Sequence, residues 1–448
     1  MKLGNNMSIK VVELFAGVGG FRVAMENLKD DKEVEFVWAN QWEPGKKVQH
    51  AFDCYNYHFG ESENHINDDI AKVKHKIPEH DILVGGFPCQ DYSVAATGAK
   101  GIEGKKGVLW WEIRDIIESK QPKYVFLENV DRLVKSPSTL KGRDFGIMLR
   151  TLEELGYGCE WRILNAAEYG FAQRRRRVFI FAFKKDSDYF KNAVSKTSQE
   201  MILDYGVFSD FKATLVDKNE RISIKSNLPY EEDLVFMTKK FSNDFMNAGI
   251  MINGISNSYK LKNEYPQFQT LGSLLQNNVE AKYNISEVGI PKMVKNISTI
   301  NDSLVIEGKK TKKFADLLIT EETVNKSPLD TFKELKGAKR IPRLKPNKEV
   351  YYYSEGPIAF PDHLNQPART ILTSEGSMNR STHVIQDSET KKFRILTPIE
   401  CERLNGFPDD WTNTGMPEKF RYFTMGNALV VPLVRRIAQS IFEKCKDL

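Results

Sequence analysis

The stretch "KVVELFAGVGGFRVAMENLKD" (residues 10–30) decides the fold. Residues 10–17 form an apolar run that ends in glycine, which reads as a buried strand. From residue 20 to 30 the apolar side chains Phe21, Ala24, Met25 and Leu28 fall at helical spacing. Strand, glycine turn and helix in that order open a parallel α/β sheet. The alternation continues outward. Strands are expected at 34–40, 81–87, 122–130 and 176–183, and helices at 46–59, 108–119 and 145–157. The fold class is therefore α/β, a doubly wound, mostly parallel sheet with helices on both faces.

The pattern dissolves after about residue 185. Residues 187–390 are rich in Asn, Lys and Ser and read as a smaller irregular domain. Regularity returns at 393–411, and residues 426–444 read as a terminal amphipathic helix. A chain of 448 residues with 41% hydrophobic and 28% charged content is that of an ordinary globular protein of two to three domains. The net charge of +5 permits a polyanionic partner without requiring one. Five scattered cysteines (Cys54, Cys89, Cys159, Cys401, Cys445) form no C-x-x-C pair, so no metal site or disulfide framework is expected. A reducing, cytoplasmic setting fits that usage. No apolar run is long enough to span a bilayer, so no membrane partner is expected.

Open parallel sheets bind ligands outside the carboxyl ends of their strands. The first strand delivers Phe15, Ala16, Gly17, Val18, Gly19 and Gly20 there, and the second Gln41, Trp42 and Glu43. The third delivers Pro88 and Cys89, and the fourth Glu128 and Asn129. The glycines have neither dinucleotide nor Walker spacing. A lone cysteine is most often a small buried hydrophobe. Its arrival beside a carboxylate and a glycine turn points instead to a nucleophile.

"ELFAGVGG" (13–20), "GGFPCQDYS" (85–93), "ENV" (128–130) and "QRRRRVFI" (173–180) resemble, in order and spacing, the DNA (cytosine-5)-methyltransferases of bacterial or phage restriction-modification type. "RILTPIECERLNGFPDDW" (394–411) and "MGNALVVP" (425–432) complete the set. The resemblance covers about the first 185 and the last 55 residues, with patches such as 270–286 and 367–376 between them. It implies a Rossmann-like methyltransferase fold that uses S-adenosyl-L-methionine. It also implies a catalytic domain at 1–186, a target-recognition domain at 187–390, a hinge and support at 391–424, and a returning helix at 425–448.

The resemblance implies roles residue by residue. Cys89 would add to carbon 6 of a flipped cytosine, with Glu128, Arg175 and Arg177 around the ring. Residues 15–20, Gln41, Trp42, Glu43, Asp69, Ile70, Pro88, Leu109, Asn427 and Ala428 would hold the cofactor. The family's usual carboxylate before the aromatic is Gln41 here, which leaves Gln41 or Glu43 to hold the ribose. Gln90, Ser93, Lys106, Arg369, Thr370 and Arg380 would touch DNA, and basic clusters such as Lys336, Lys339, Arg340, Arg343 and Lys345 would meet phosphates. The expected partners are double-stranded DNA and a cognate restriction endonuclease acting separately. The enzyme is expected as a monomer associated with the nucleoid. Two alternatives stay open, an RNA cytosine-5 methyltransferase of the transfer-RNA-modifying type and a catalytically silent DNA-binding relative.

Overall fold

A computed structural model describes residues 8–26, 28, 33–87, 109–263, 268–299, 310–314, 317–345, 347 and 349–448. The expected alternation is present. Strands β1 (Ile9–Leu14), β2 (Val34–Asn40), β3 (His65–Ile66), β4 (Ile82–Gly86) and β5 (Tyr124–Val130) are parallel neighbours. Between them lie α1 (Gly20–Met25), α2 (His50–Phe59), α3 (Ile70–Val73) and α4 (Leu109–Lys120), with α5 (Arg143–Glu154) after β5. Helix α1 is shorter than the periodicity predicts. Arg435 donates to the carbonyls of Val23 and Ala24 at 2.8 and 3.3 Å and so supplies partners at the end of α1. Helix α2 starts later than predicted because the Gln49 amide folds over the preceding turn, bonding the backbone of Glu43 and Lys46.

The sheet does not stop at β5. Strands β6 (Tyr157–Asn165) and β7 (Arg176–Lys184) extend it, and β8 (Ala213–Ser223), β9 (Ala248–Ile252) and β10 (Ile255–Asn263) extend it further. The order is β3-β2-β1-β4-β5-β7-β6-β9-β10-β8. β1 to β6 and β10 run one way, and β7, β8 and β9 run against them. The expected boundary at residue 187 therefore does not interrupt the sheet. Helices α6 (Asp188–Val194), α7 (Ser198–Glu200) and α8 (Tyr230–Lys240) accompany the added strands.

Alternate residues of each central strand face opposite cores. Val11, Val84 and Phe126 join one cluster with Phe21 and Ala24 of α1 and with Ile437. Val12, Leu83 and Val125 join the other with Ile113 and Ile116 of α4 and Met148 and Leu149 of α5. This double burial explains the near-continuous apolar runs in the sequence.

Small sheets follow. β11 (Ile290–Thr299), β12 (Lys310–Phe314) and β13 (Leu317–Lys326) form one, in the order β11-β13-β12. After α9 (Pro328–Lys336), β14 (Lys339–Leu344) pairs with β15 (Val350–Glu355), and β16 (Val384–Gln386) with β17 (Phe393–Ile395). The chain then returns through α10 (Pro398–Asn405), α11 (Glu418–Asn427) and α12 (Val431–Lys444) to cover α1. Among the described residues no helix is long and apolar enough to cross a membrane.

Candidate active site

β1 ends at Leu14, and the chain turns sharply over residues 15–19. Phe15, Gly17 and Gly19 all have positive φ, at 54°, 57° and 87°. For a bulky residue such as Phe15 that backbone is strained, and it persists because neighbours fix it. The Gly17 amide donates to Gln41 Oε1 at 2.7 Å, and the Ala16 amide to the Asn40 carbonyl at 2.9 Å. The Trp411 indole donates to the Val18 carbonyl at 2.9 Å. Trp411 itself stacks on His58, with centroids 3.5 Å apart. The turn is thus bolted to β2 and to the returning C-terminal segment.

Glu13 lies beneath this turn, fully buried, with the Tyr55 hydroxyl donating to it at 3.2 Å. Burial pushes its carboxyl up from 4.5 to about 8. Between those two values the folded protein holds a proton that the unfolded chain releases. Stability contributed by Glu13 is therefore lost as pH rises through that window. Glu13→Gln is expected to flatten the decline of urea stability between pH about 4.5 and about 8. An unchanged slope in that variant would contradict the assignment.

Across the crevice, β5 carries Glu128 beside Arg177 of β7. Arg177 Nε lies 2.7 Å from Glu128 Oε1, and both side chains are mostly buried. A Cβ at Gly86 would stand 3.2 Å from Glu128 Oε2, so the glycine leaves room on that side of the carboxylate. Asn129 is buried and donates to the Phe87 carbonyl at 2.8 Å. It thereby fixes the last described residue before Pro88 and Cys89. Pro88, Cys89, Gln90, Ser93 and Lys106 lie outside the described residues.

Arg175 is 1% exposed. Its Nη1 donates to the Ile371 carbonyl at 3.1 Å and its Nη2 to the Gly426 carbonyl at 3.0 Å. Burial and the neighbouring Arg177 pull the guanidinium down to about 9. Of the two arginines, Arg177 reaches Glu128, and Arg175 joins three chain segments around the crevice.

These groups share one cavity of about 360 Å³. Phe15, Ala16, Gly17, Val18, Gly20, Gln41, Glu43, Leu109, Glu128, Arg175, Arg177, Asn427 and Ala428 line it as the sequence suggested. Gly19, Trp42, Asp69 and Ile70 do not. Ile70 is buried in the core, and Asp69 caps α3 by accepting from the Ala71 amide at 3.1 Å. Phe407, Phe423, Thr424, Gly426 and Leu429 also line the cavity. Phe407 and Gly426 stand inside the quoted motifs, whereas nothing in the local sequence marks Phe423.

Three expected DNA contacts are committed within the protein. Arg369 Nε pairs with Asp362 at 2.7 Å, and Arg369 also donates to the Ser381 carbonyl at 2.9 Å. The Thr370 hydroxyl donates to the Arg174 carbonyl at 2.6 Å. Arg380 donates to the carbonyls of Leu335, Gly337 and Gly356. Lys336, expected at phosphate, is buried and donates to the Thr382 carbonyl at 2.7 Å. Irregular backbone leaves carbonyls without a ladder, and long cationic side chains satisfy them.

A doubly wound sheet carrying a glycine turn, an acid and paired arginines in one cavity defines a methyltransferase-type site. Residues 9–443 match the family C-5 cytosine-specific DNA methylase, and the chain belongs to it. It is a DNA (cytosine-5)-methyltransferase. The chain is 45% identical over 438 residues to the Type II methyltransferase M.Sau3AI of Staphylococcus aureus, covering 97% of this chain and 95% of that one. It is 36% identical over 179 residues to the Type II methyltransferase M.HhaI of Haemophilus parahaemolyticus, covering 40% of this chain and 50% of that one. The fold resembles the crystal structure of S. pombe Dnmt2 methyltransferase, with a TM-score of 0.54 at 13% identity, covering 98% of this chain and 99% of that one.

Proposed function

We propose that the methyl donor is S-adenosyl-L-methionine and that Cys89 attacks carbon 6 of a cytosine flipped out of duplex DNA. The observation that carries this reading is that Glu128 and Arg177 share a cavity with the glycine turn. The residues present fit that donor. The cavity of about 360 Å³ falls within the range of small-molecule sites, about 300–1,000 Å³. When bound, S-adenosylmethionine supplies an electrophilic methyl group on a sulfonium centre. Phe15, Ala16, Gly17, Val18 and Gly20 would hold its methionine part, and Leu109, Asn427 and Ala428 would close the cavity. Glu43, which lines the cavity beside Gln41, would accept from the ribose hydroxyls.

The chain's own residues then act on the base. Thiolate addition to carbon 6 makes carbon 5 nucleophilic; once carbon 5 bears the transferred methyl group, loss of its proton with expulsion of the Cys89 thiolate restores the ring. Glu128 would accept from the exocyclic amine, and from the ring nitrogen once that nitrogen carries a proton in the adduct, with Arg177 fixing the carboxylate. Flipping costs a few kcal/mol of stacking, which contacts to the extrahelical base must offset. Target recognition belongs to the part of 187–390 that leaves the central sheet, from residue 268 onward. The enzyme acts in the cytoplasm on double-stranded DNA, within a restriction-modification pair whose endonuclease is a separate protein.

Calorimetric titration with S-adenosylmethionine tests the assignment. The wild-type protein is expected to bind it, and Glu43→Gln to bind about tenfold more weakly, the scale of a charge-assisted hydrogen bond. No binding by the wild type would remove the donor, and unchanged affinity in the variant would remove Glu43.

A further inference from the structure

One bond grips the glycine turn from the far end of the chain. The Val18 carbonyl accepts from the indole Nε1 of Trp411 at 2.9 Å, across 393 residues of sequence. The other half of that peptide is held within the turn, where the Gly19 amide donates to the Ala16 carbonyl at 2.8 Å. A planar peptide rotates as a unit, and glycine accepts either sign of φ. Gly19, with φ 87°, therefore does not by itself decide which way the Val18 carbonyl points. The two hydrogen bonds decide it, and of their partners only Trp411 lies outside the turn.

Trp411 is itself firmly held. Its ring stacks on His58 of α2, with the two planes 4° from parallel. Its carbonyl accepts from His58 Nε2 at 2.6 Å, so that ring nitrogen carries the hydrogen, and from Cys54 Sγ at 3.4 Å. The residues on either side are pinned as well. The Thr412 amide donates to the buried Glu402 of α10 at 3.0 Å, and Arg421 of α11 reaches Asp410 at 3.2 Å. Phe407, with its ring centroid 5.6 Å from that of Trp411, lines the catalytic cavity, and Trp411 does not. The indole therefore reaches the cavity only through the turn that it holds.

We infer that Trp411, backed by His58, is a positioning residue for the methyl donor: its indole N–H holds the Val18 carbonyl and so keeps the turn in the shape that meets the donor. The inference rests on the donor reading above. Ala16, Gly17 and Val18 line the cavity within a turn that has three residues at positive φ. Such a backbone persists only where neighbours fix it. A turn released from Trp411 has more states open to it. The donor then binds only the fraction of molecules whose turn already has the right shape, and its apparent affinity falls by that fraction. The indole bonds Val18 rather than Glu128 or Arg177, so the chemistry on the base keeps its rate once the donor is bound.

Calorimetric titration with S-adenosylmethionine tests this, paired with steady-state methyl transfer to plasmid DNA whose target sites are located by bisulfite sequencing. Trp411→Phe keeps a ring on His58 and loses the N–H. Its Kd and KM for the donor are expected to rise about fivefold, the scale of one hydrogen bond, with kcat unchanged. His58→Ala keeps the indole N–H but removes the ring behind it and the donor to the Trp411 carbonyl. It should raise the same two constants by about twofold, the smaller effect of a looser support. His58 is only part-buried, so this variant decides the matter if the phenylalanine variant does not fold, and wild-type donor affinity in it would then overturn the inference. Lower urea stability in both variants with donor Kd and KM at wild-type values would make the pair a purely structural tie and overturn it too. So would a fall in kcat at wild-type KM. A wild type that does not bind S-adenosylmethionine would remove the donor reading itself.

Discussion

Cys89→Ser is expected to lower methyl transfer by more than about a thousandfold, the scale of deleting a nucleophile that works as a unit with its partners. A serine hydroxyl ionises far less readily than a thiol with its ordinary value of about 8.5, and the ionised form is the one that adds. The geometry before Cys89 supports its role. β4 ends at Gly86, and Asn129 clamps the Phe87 carbonyl at 2.8 Å, so the chain leaves the sheet at a fixed point next to Glu128. DNA binding should survive, because the substitution exchanges one sulfur for oxygen and removes no cationic group that could meet a phosphate. Replacing the carbon-5 hydrogen of the target cytosine with fluorine removes the proton that elimination needs. The wild type should then remain covalently attached to that DNA on a denaturing gel, and the serine variant should not. Near-wild-type methylation by the variant would exclude Cys89 as the nucleophile.

Arg175→Met is expected to destabilise the protein by about 2 kcal/mol, read from urea denaturation. Two opposing effects set that figure. The variant leaves the carbonyls of Ile371 and Gly426 without donors, each worth about 1–3 kcal/mol when buried. It also removes a buried charge next to Arg177, which offsets part of the loss. Arg175→Lys offers no planar fork to reach two carbonyls and should fall between the two. Because Gly426 lines the cavity and Ile371 anchors the loop beside it, turnover should fall together with stability. A methionine variant with the wild-type urea midpoint and turnover would show that the arginine does not join these segments.

The active-site half of the fold was legible because its strands are buried on both faces. Runs such as "ILVGG" and "YVFL" carry enough apolar length to be read without partners. β6 was not legible. Its run "YGCEWRILN" carries Glu160 and Arg162, which look like surface residues. Both are buried, with Tyr189 donating to Glu160 at 2.7 Å and Arg162 donating to the Phe211 carbonyl at 3.1 Å. Those partners are 29 and 49 residues away, beyond any periodicity. β8 is largely exposed on both faces, so it has no alternation to read. Within the site, motif spacing located Glu128 and the glycine turn. It did not separate Gln41 from Glu43 or Arg175 from Arg177, because neighbours in sequence differ there only in which partner each side chain meets. Arg369 and Arg380 show the same limit, since a basic residue in a polar segment reads alike whether it faces phosphate or a carbonyl of its own chain.

The pairing of β9 with β6, from Cys159 opposite Met251 to Arg162 opposite Ala248, bears on how the protein tolerates being cut. A polypeptide ending at residue 186 would strip β6 of that neighbour and leave an apolar strand with open hydrogen-bonding groups. Such an edge is sticky and recruits other chains. The catalytic half is therefore not a separable module at that point, and a dissection that keeps it intact must carry the chain through residue 263, where β10 ends.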